Sequence, residues 1–128
     1  MISWFEKHNK ISWAITIILA ITIFYVSSLQ FAPSSGPGGQ NSKATLYHLT
    51  IFFIFAIFLF ISLVQGMKKK EDLIFLGIII VVGYAFLDEF HQLFVPTRSG
   101  SLFDVLLDVV GISVAAMGYF VVVSARKK

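Results

Sequence analysis

Four apolar runs, at about 11–29, 44–65, 73–94 and 102–124, dominate the chain, each close to the ~20 residues that an α-helix needs to cross ~30 Å of hydrocarbon. In lipid, every backbone N–H and C=O must be satisfied within its own segment, so runs of this length become helices. Apolar residues make up 57% of the 128 positions and charged residues only 13%, a balance outside the soluble range. The expectation is an all-α membrane protein: one domain over 1–128 with four transmembrane helices, up-down-up-down. The first run follows Lys7 and Lys10 and has the outline of a secretory signal. Its length, and the polar Ser27, Ser28 and Gln30 that follow without a small-residue cleavage site, favour a retained span.

The breaks carry turn chemistry: "APSSGPGGQNS" (32–42) is polar, "GMKKKED" (66–72) is charged and "VPTRSGS" (95–101) is very short. Such short connections make consecutive helices antiparallel neighbours. Eight of the ten basic residues, Lys7, Lys10, Lys68, Lys69, Lys70, Arg126, Lys127 and Lys128, fall on one side of this arrangement, and only Lys43 and Arg98 on the other. By the positive-inside rule both termini are cytoplasmic and the protein is a multi-pass resident of the cell membrane. Basic residues clustered at the ends of apolar runs are topology signals, and no nucleic-acid partner is expected despite the net charge of +3. The absence of cysteine excludes disulfides, thiolate metal sites and a cysteine nucleophile.

On this topology the polar side chains meet at one depth. Ser27, Ser28 and Gln30 end the first helix, Lys43, Tyr47 and His48 begin the second, Asp88, Glu89, His91 and Gln92 end the third, and Asp104 and Asp108 begin the fourth. At about 100° per residue, Tyr84, Asp88, Glu89, His91 and Gln92 share an arc of about 160°. Ser101, Asp104, Asp108, Gly111 and Ala115 share about 80°, a stripe acidic at the top and small below, where Gly111, Ala115 and Gly118 admit a close neighbour. A carboxylate at the bilayer centre costs roughly 2.5–3.5 kcal/mol even on lenient scales, so these four must be paired, hydrated or protonated. Packed together they form a polar pocket in the outer leaflet.

Structural roles compete at each position. Ser101 and Asp104 have helix-capping spacing, and an acid in the first turn suits the helix dipole. Asp108 sits a turn deeper, where a salt bridge to Arg98 or Lys43 would explain it. His48 could bond a carbonyl at the interface, Tyr47 and Tyr84 could anchor in the aromatic belt, and Ser27 and Ser28 could bond back to their own helix.

The tract "YAFLDEFHQLFVPTRSGSLFDVLLDVVG" (84–111) resembles the signature of VanZ-like membrane proteins: an acidic pair before His-Gln, a V-P-G-R-like turn, then an Asp-Val…Asp…Gly stripe. "YVSSLQ" (25–30) resembles the end of that family's first helix and "SKATLYH" (42–48) the start of its second. Three departures stand out. Thr97 replaces the usual turn glycine, which predicts a different loop conformation before Arg98; Lys43 and His48 are spaced more widely than Lys-x-x-His; and Phe52 stands where a tyrosine is usual. The resemblance implies a fold grouped with proteins that exchange or hydrolyse lipid headgroups, and a link to resistance against the glycopeptide teicoplanin.

Three functions fit these residues. In an enzyme acting on a lipid headgroup at the outer face, as hydrolase or transferase, His91 is the base, Asp88 or Glu89 orients it, and Asp104 and Asp108 position a hydroxyl or a divalent cation. Arg98 then holds a phosphate, with Gln92, His48, Tyr84, Lys43 and Ser28 as further substrate contacts. Alternatively the same pocket holds a lipid or cell-envelope precursor without turnover, or the cluster only assembles helices or subunits. Membrane lipids are the expected partners. No HExxH-type motif is present and no metal ligand is assigned, the cofactor stays open, and no heptad or dimer motif decides whether the chain forms a homo-oligomer.

Overall fold

The computed structural model describes residues 2–30, 42–65 and 70–125, leaving aside the side chains of residues 42 and 70. Positions 32–41 and 66–69 of the expected turns lie outside the described residues, as do Arg126, Lys127 and Lys128. Among the described residues there are five helices and no strand: α1 (Ile2–Lys7), α2 (Asn9–Ser27), α3 (Ser42–Val64), α4 (Lys70–Gln92) and α5 (Leu102–Ala125). The last four are each long and apolar enough to span a membrane. The chain is therefore an all-helical, four-span protein.

The boundaries differ from the sequence reading for local reasons. α4 starts at Lys70 rather than 73, with Glu71 and Asp72 in its first turn, where acids complement the N-terminal partial charge. It stops at Gln92 rather than 94 because the N–H groups of Leu93, Phe94 and Val95 turn to the carbonyls three residues back, at 3.0–3.3 Å, just ahead of Pro96. α1 was not anticipated. It is separated from α2 by His8, whose imidazole stacks on Trp4 with ring centroids 4.1 Å apart.

α3 is the central helix, touching all four others and lying most extensively along α5. α2 and α5 make no contact, so the four spans form a rhombus with α3 and α4 across its short diagonal. Phe52, Ala56, Phe60 and Val64 of α3 are sealed between Ile23 of α2, Val81 and Ala85 of α4, and Ile112, Ala115 and Tyr119 of α5. Outside, Ile18, Phe24, Leu87, Leu106 and Met117 are exposed, as expected of a surface solvated by lipid.

Gly111 explains the closeness of α3 and α5. A Cβ there would lie 2.5 Å from the Leu49 carbonyl oxygen, so only glycine allows the two backbones to meet. Gly118, expected to do the same, faces open space.

Both ends are joined by polar contacts. At one, Tyr119 donates to Glu6 at 3.0 Å, Thr16 and Ser62 hydroxyls meet at 3.1 Å, and Gln65 donates to Asn9 and to the Ser62 carbonyl. At the other lie the C-termini of α2 and α4 and the N-termini of α3 and α5.

Candidate functional site

The second end holds the carboxylates. Its centre is a pair that joins the two most closely packed helices: His48 Nδ1 donates to Asp108 Oδ1 at 2.9 Å. His48 is 5% exposed and Asp108 0%, so this bond is made away from solvent. It depends on Gly111, which lies three residues after Asp108 and sets the helix separation. The salt bridge from Asp108 to Arg98 or Lys43 considered from sequence is replaced by histidine.

Asp88, Glu89 and Gln92 form a second group along α4. The Gln92 amide Nε2 donates to Asp88 Oδ2 and to Glu89 Oε1, both at 3.1 Å. Glu89 Oε2 accepts the backbone N–H of Ser101 at 2.7 Å. Ser101 in turn caps α5, receiving the Asp104 N–H on its carbonyl at 3.1 Å and more distantly on Oγ at 3.4 Å. In a reciprocal capping box Asp104 would accept the Ser101 N–H; Glu89 takes that place from a different helix. Gly100 permits the approach, since a Cβ there would lie 2.7 Å from the Glu89 carbonyl oxygen. His48, Glu89 and Asp104 consequently each present a ligand-type atom within 4.8 Å of the others.

His91 occupies the α2 side, half-buried, its ring tilted against Phe24 at 4.5 Å. Its Nε2 lies 3.0 Å from Ser28 Oγ. Because the Ser28 hydroxyl donates to the Phe24 carbonyl at 2.7 Å, it accepts from His91, which puts a proton on Nε2. The expected orientation of His91 by Asp88 or Glu89 is not what the side chains make: Asp88 pairs with Gln92, and Ser28 orients His91.

Arg98 donates from Nε to the Leu29 carbonyl at 3.1 Å and from an Nη to the Val26 carbonyl at 2.9 Å, capping the C-terminus of α2. The turn that aims it runs from Val95 to Arg98, closed by the Arg98 N–H on the Val95 carbonyl at 3.1 Å. Pro96 takes its second position and Thr97, at φ 68°, its third, as in a type II turn. Thr97 itself enters the left-handed region, a conformation in which glycine is unstrained.

The remaining expected contacts fall at the margins. Tyr84 donates to the Ala20 carbonyl at 2.7 Å, fastening α4 to α2. Lys43 is exposed and lines a shallow apolar groove with Leu46, Tyr47, Thr50 and Ile51. A second groove, lined by Leu49, Thr50, Phe53, Val110, Gly111 and Val114, runs alongside between α3 and α5.

Several atoms here are buried without a hydrogen-bond partner: Ser27 Oγ, Tyr47 Oη, Asp88 Oδ1 and Asp108 Oδ2. Ser27 adjoins Asp88, and Tyr47 lies in the field of Asp88 and Asp108. Ser101 and Tyr47 were not assigned to the site from sequence. Both carried a signal in the sequence: Ser101 shares the stripe of Asp104 and Asp108, and Tyr47 shares the depth of Lys43 and His48 at the start of its helix.

A small helical protein with four membrane-spanning segments and a carboxylate–imidazole cluster at one end of the bundle is the class these features define. Within that class a family model described as VanZ/LLP1 matches residues 5–123, nearly the whole chain, and the protein belongs to this family. Comparison with the curated proteins and with the solved structures gives no significant match.

Proposed function

We propose that the protein acts on the headgroup of a membrane lipid or lipid-linked cell-envelope precursor, as a hydrolase or transferase, at the outer face of the cell membrane. Both termini are cytoplasmic in this reading, which places the polar end in the outer leaflet. The observation that carries it is the concentration of Asp88, Glu89, Asp104, Asp108, His48 and His91 at one end of an otherwise apolar bundle. Beside that end run the two apolar grooves, suited to the acyl part of the same amphiphile.

His91 Nδ1 removes the proton from an attacking water or alcohol, while Ser28 holds the ring by Nε2. As the new bond to phosphorus forms, the headgroup oxygen leaves and takes a proton in return. Arg98 and Lys43 supply the cationic surroundings for the phosphate. A contribution to teicoplanin resistance through an altered envelope lipid belongs to the same proposal.

Purified protein incubated with headgroup-labelled lipids should release or exchange the label, and His91→Ala should abolish this. No headgroup change across a broad lipid panel, with a lipid retained through purification, would instead establish binding without turnover. That second reading is favoured by the commitment of two Arg98 donors to carbonyls. Labelling of a Ser35→Cys variant from outside the cell tests the orientation.

A further inference from the structure

We propose that His48, Glu89 and Asp104 form a binding site for one divalent transition-metal ion of the Mn²⁺ or Zn²⁺ kind. This goes beyond the headgroup reading and stands whether or not a lipid is processed.

The ligand atoms come from three helices and lie within 4.8 Å of one another. Donors about 2.0–2.2 Å from a common ion sit roughly 3–3.5 Å apart, so the site closes on a metal by side-chain movements of about 1 Å. One imidazole with carboxylates suits Mn²⁺ or Zn²⁺ better than Mg²⁺ or Ca²⁺, which favour all-oxygen shells.

The surrounding contacts are those that ready ligands for a metal. Asp108 accepts the His48 Nδ1–H at 2.9 Å, which leaves the Nε2 lone pair for coordination on a ring of fixed orientation, the carboxylate–histidine arrangement that accompanies most metal-bound imidazoles. Glu89 is held by Ser101 N–H and Gln92 Nε2, one on each oxygen, and each oxygen keeps a further lone pair. Because Glu89 takes the Ser101 N–H, Asp104 is released from a capping box.

A second observation is independent of the ligand set. Asp108 Oδ2 has no hydrogen-bond partner, on a side chain 0% exposed. Asp108 lies in the electrostatic neighbourhood of His48 and Asp104, two of the three proposed ligands. A buried carboxylate oxygen left so calls for a partner, and a cation or a bound water supplies one.

The test uses the full chain in detergent, stripped with a chelator, without added lipid. Titration with Mn²⁺, followed by the loss of the free-ion electron paramagnetic resonance signal, should saturate at one ion per chain, and Zn²⁺ should compete. Asp104→Asn and Glu89→Gln should each weaken binding by at least tenfold, Asp108→Asn by about tenfold through the His48 ring, and Asp72→Asn, at the opposite end of α4, not at all. Circular dichroism and gel filtration verify that the variants remain folded, and the wild-type titration is decisive by itself. Absence of saturable Mn²⁺ and Zn²⁺ binding overturns the proposal, as does equal affinity in the folded Asp104→Asn protein.

Discussion

Glu89 Oε2 accepts the backbone N–H of Ser101 at 2.7 Å, so the last turn of one membrane helix supplies the cap of the next. Replacing Glu89 with Ala leaves a part-buried N–H unpaired and should cost about 1–3 kcal/mol. Glu89→Gln keeps an acceptor and should retain most of that stability. Unfolding of both variants in detergent, compared by denaturant or thermal midpoint, checks the difference.

Gly111 and Gly118 lie two turns apart on α5 but meet different surroundings. Gly111→Ala would drive a methyl against the Leu49 carbonyl oxygen, and should destabilise by about 1–3 kcal/mol while separating His48 from Asp108. Gly118→Ala has open space and should gain about 0.5–1 kcal/mol from the better helix former. Opposite shifts of the thermal midpoint are the expected result.

Thr97 holds φ at 68°, a conformation in which a β-branched side chain is strained. Left-handed geometry costs a non-glycine residue roughly 1–2 kcal/mol, and the greater unfolded-state freedom of glycine offsets part of this. Thr97→Gly should therefore stabilise the protein modestly, by about 0.5–1 kcal/mol. Equilibrium unfolding measures this, and an unchanged or lower midpoint would contradict the strain.

Asp108→Asn preserves an acceptor for the His48 Nδ1–H, whereas Asp108→Ala removes it and leaves a buried donor alone. The Ala variant should lose about 1–3 kcal/mol more than the Asn variant. Nitrogen-15 spectra of the histidine side chains should show the Nδ1–H of His48 persisting in Asn and altered in Ala.

Much of this architecture is legible along the chain, because it rests on local periodicity. The four spans follow from run length, and helical phase alone places Asp104, Asp108 and Gly111 on one stripe. Partner choice is not local. His48 and Asp108 are 60 residues apart, and nothing in either helix says that α3 lies closer to α5 than to its sequence neighbours. His91 and Asp88 have suitable spacing on one helix, yet Gln92 and Ser28 compete for them more successfully. Arg98 looks like an anion ligand from its type, but its position also lets it meet the carbonyls ending α2. Gly118 has the right phase for a close contact and no helix opposite it.

The alternation of helix directions has an electrostatic corollary. At the carboxylate-bearing end, α2 and α4 present C-termini, each near −0.5 charge, and α3 and α5 present N-termini, each near +0.5. The four macrodipoles cancel to first order, so the backbone contributes almost no net potential there. The sign of the field is written by the side chains, and a single exchange at Asp104 would suit the same scaffold to a ligand of different charge while leaving the helices that carry it in place.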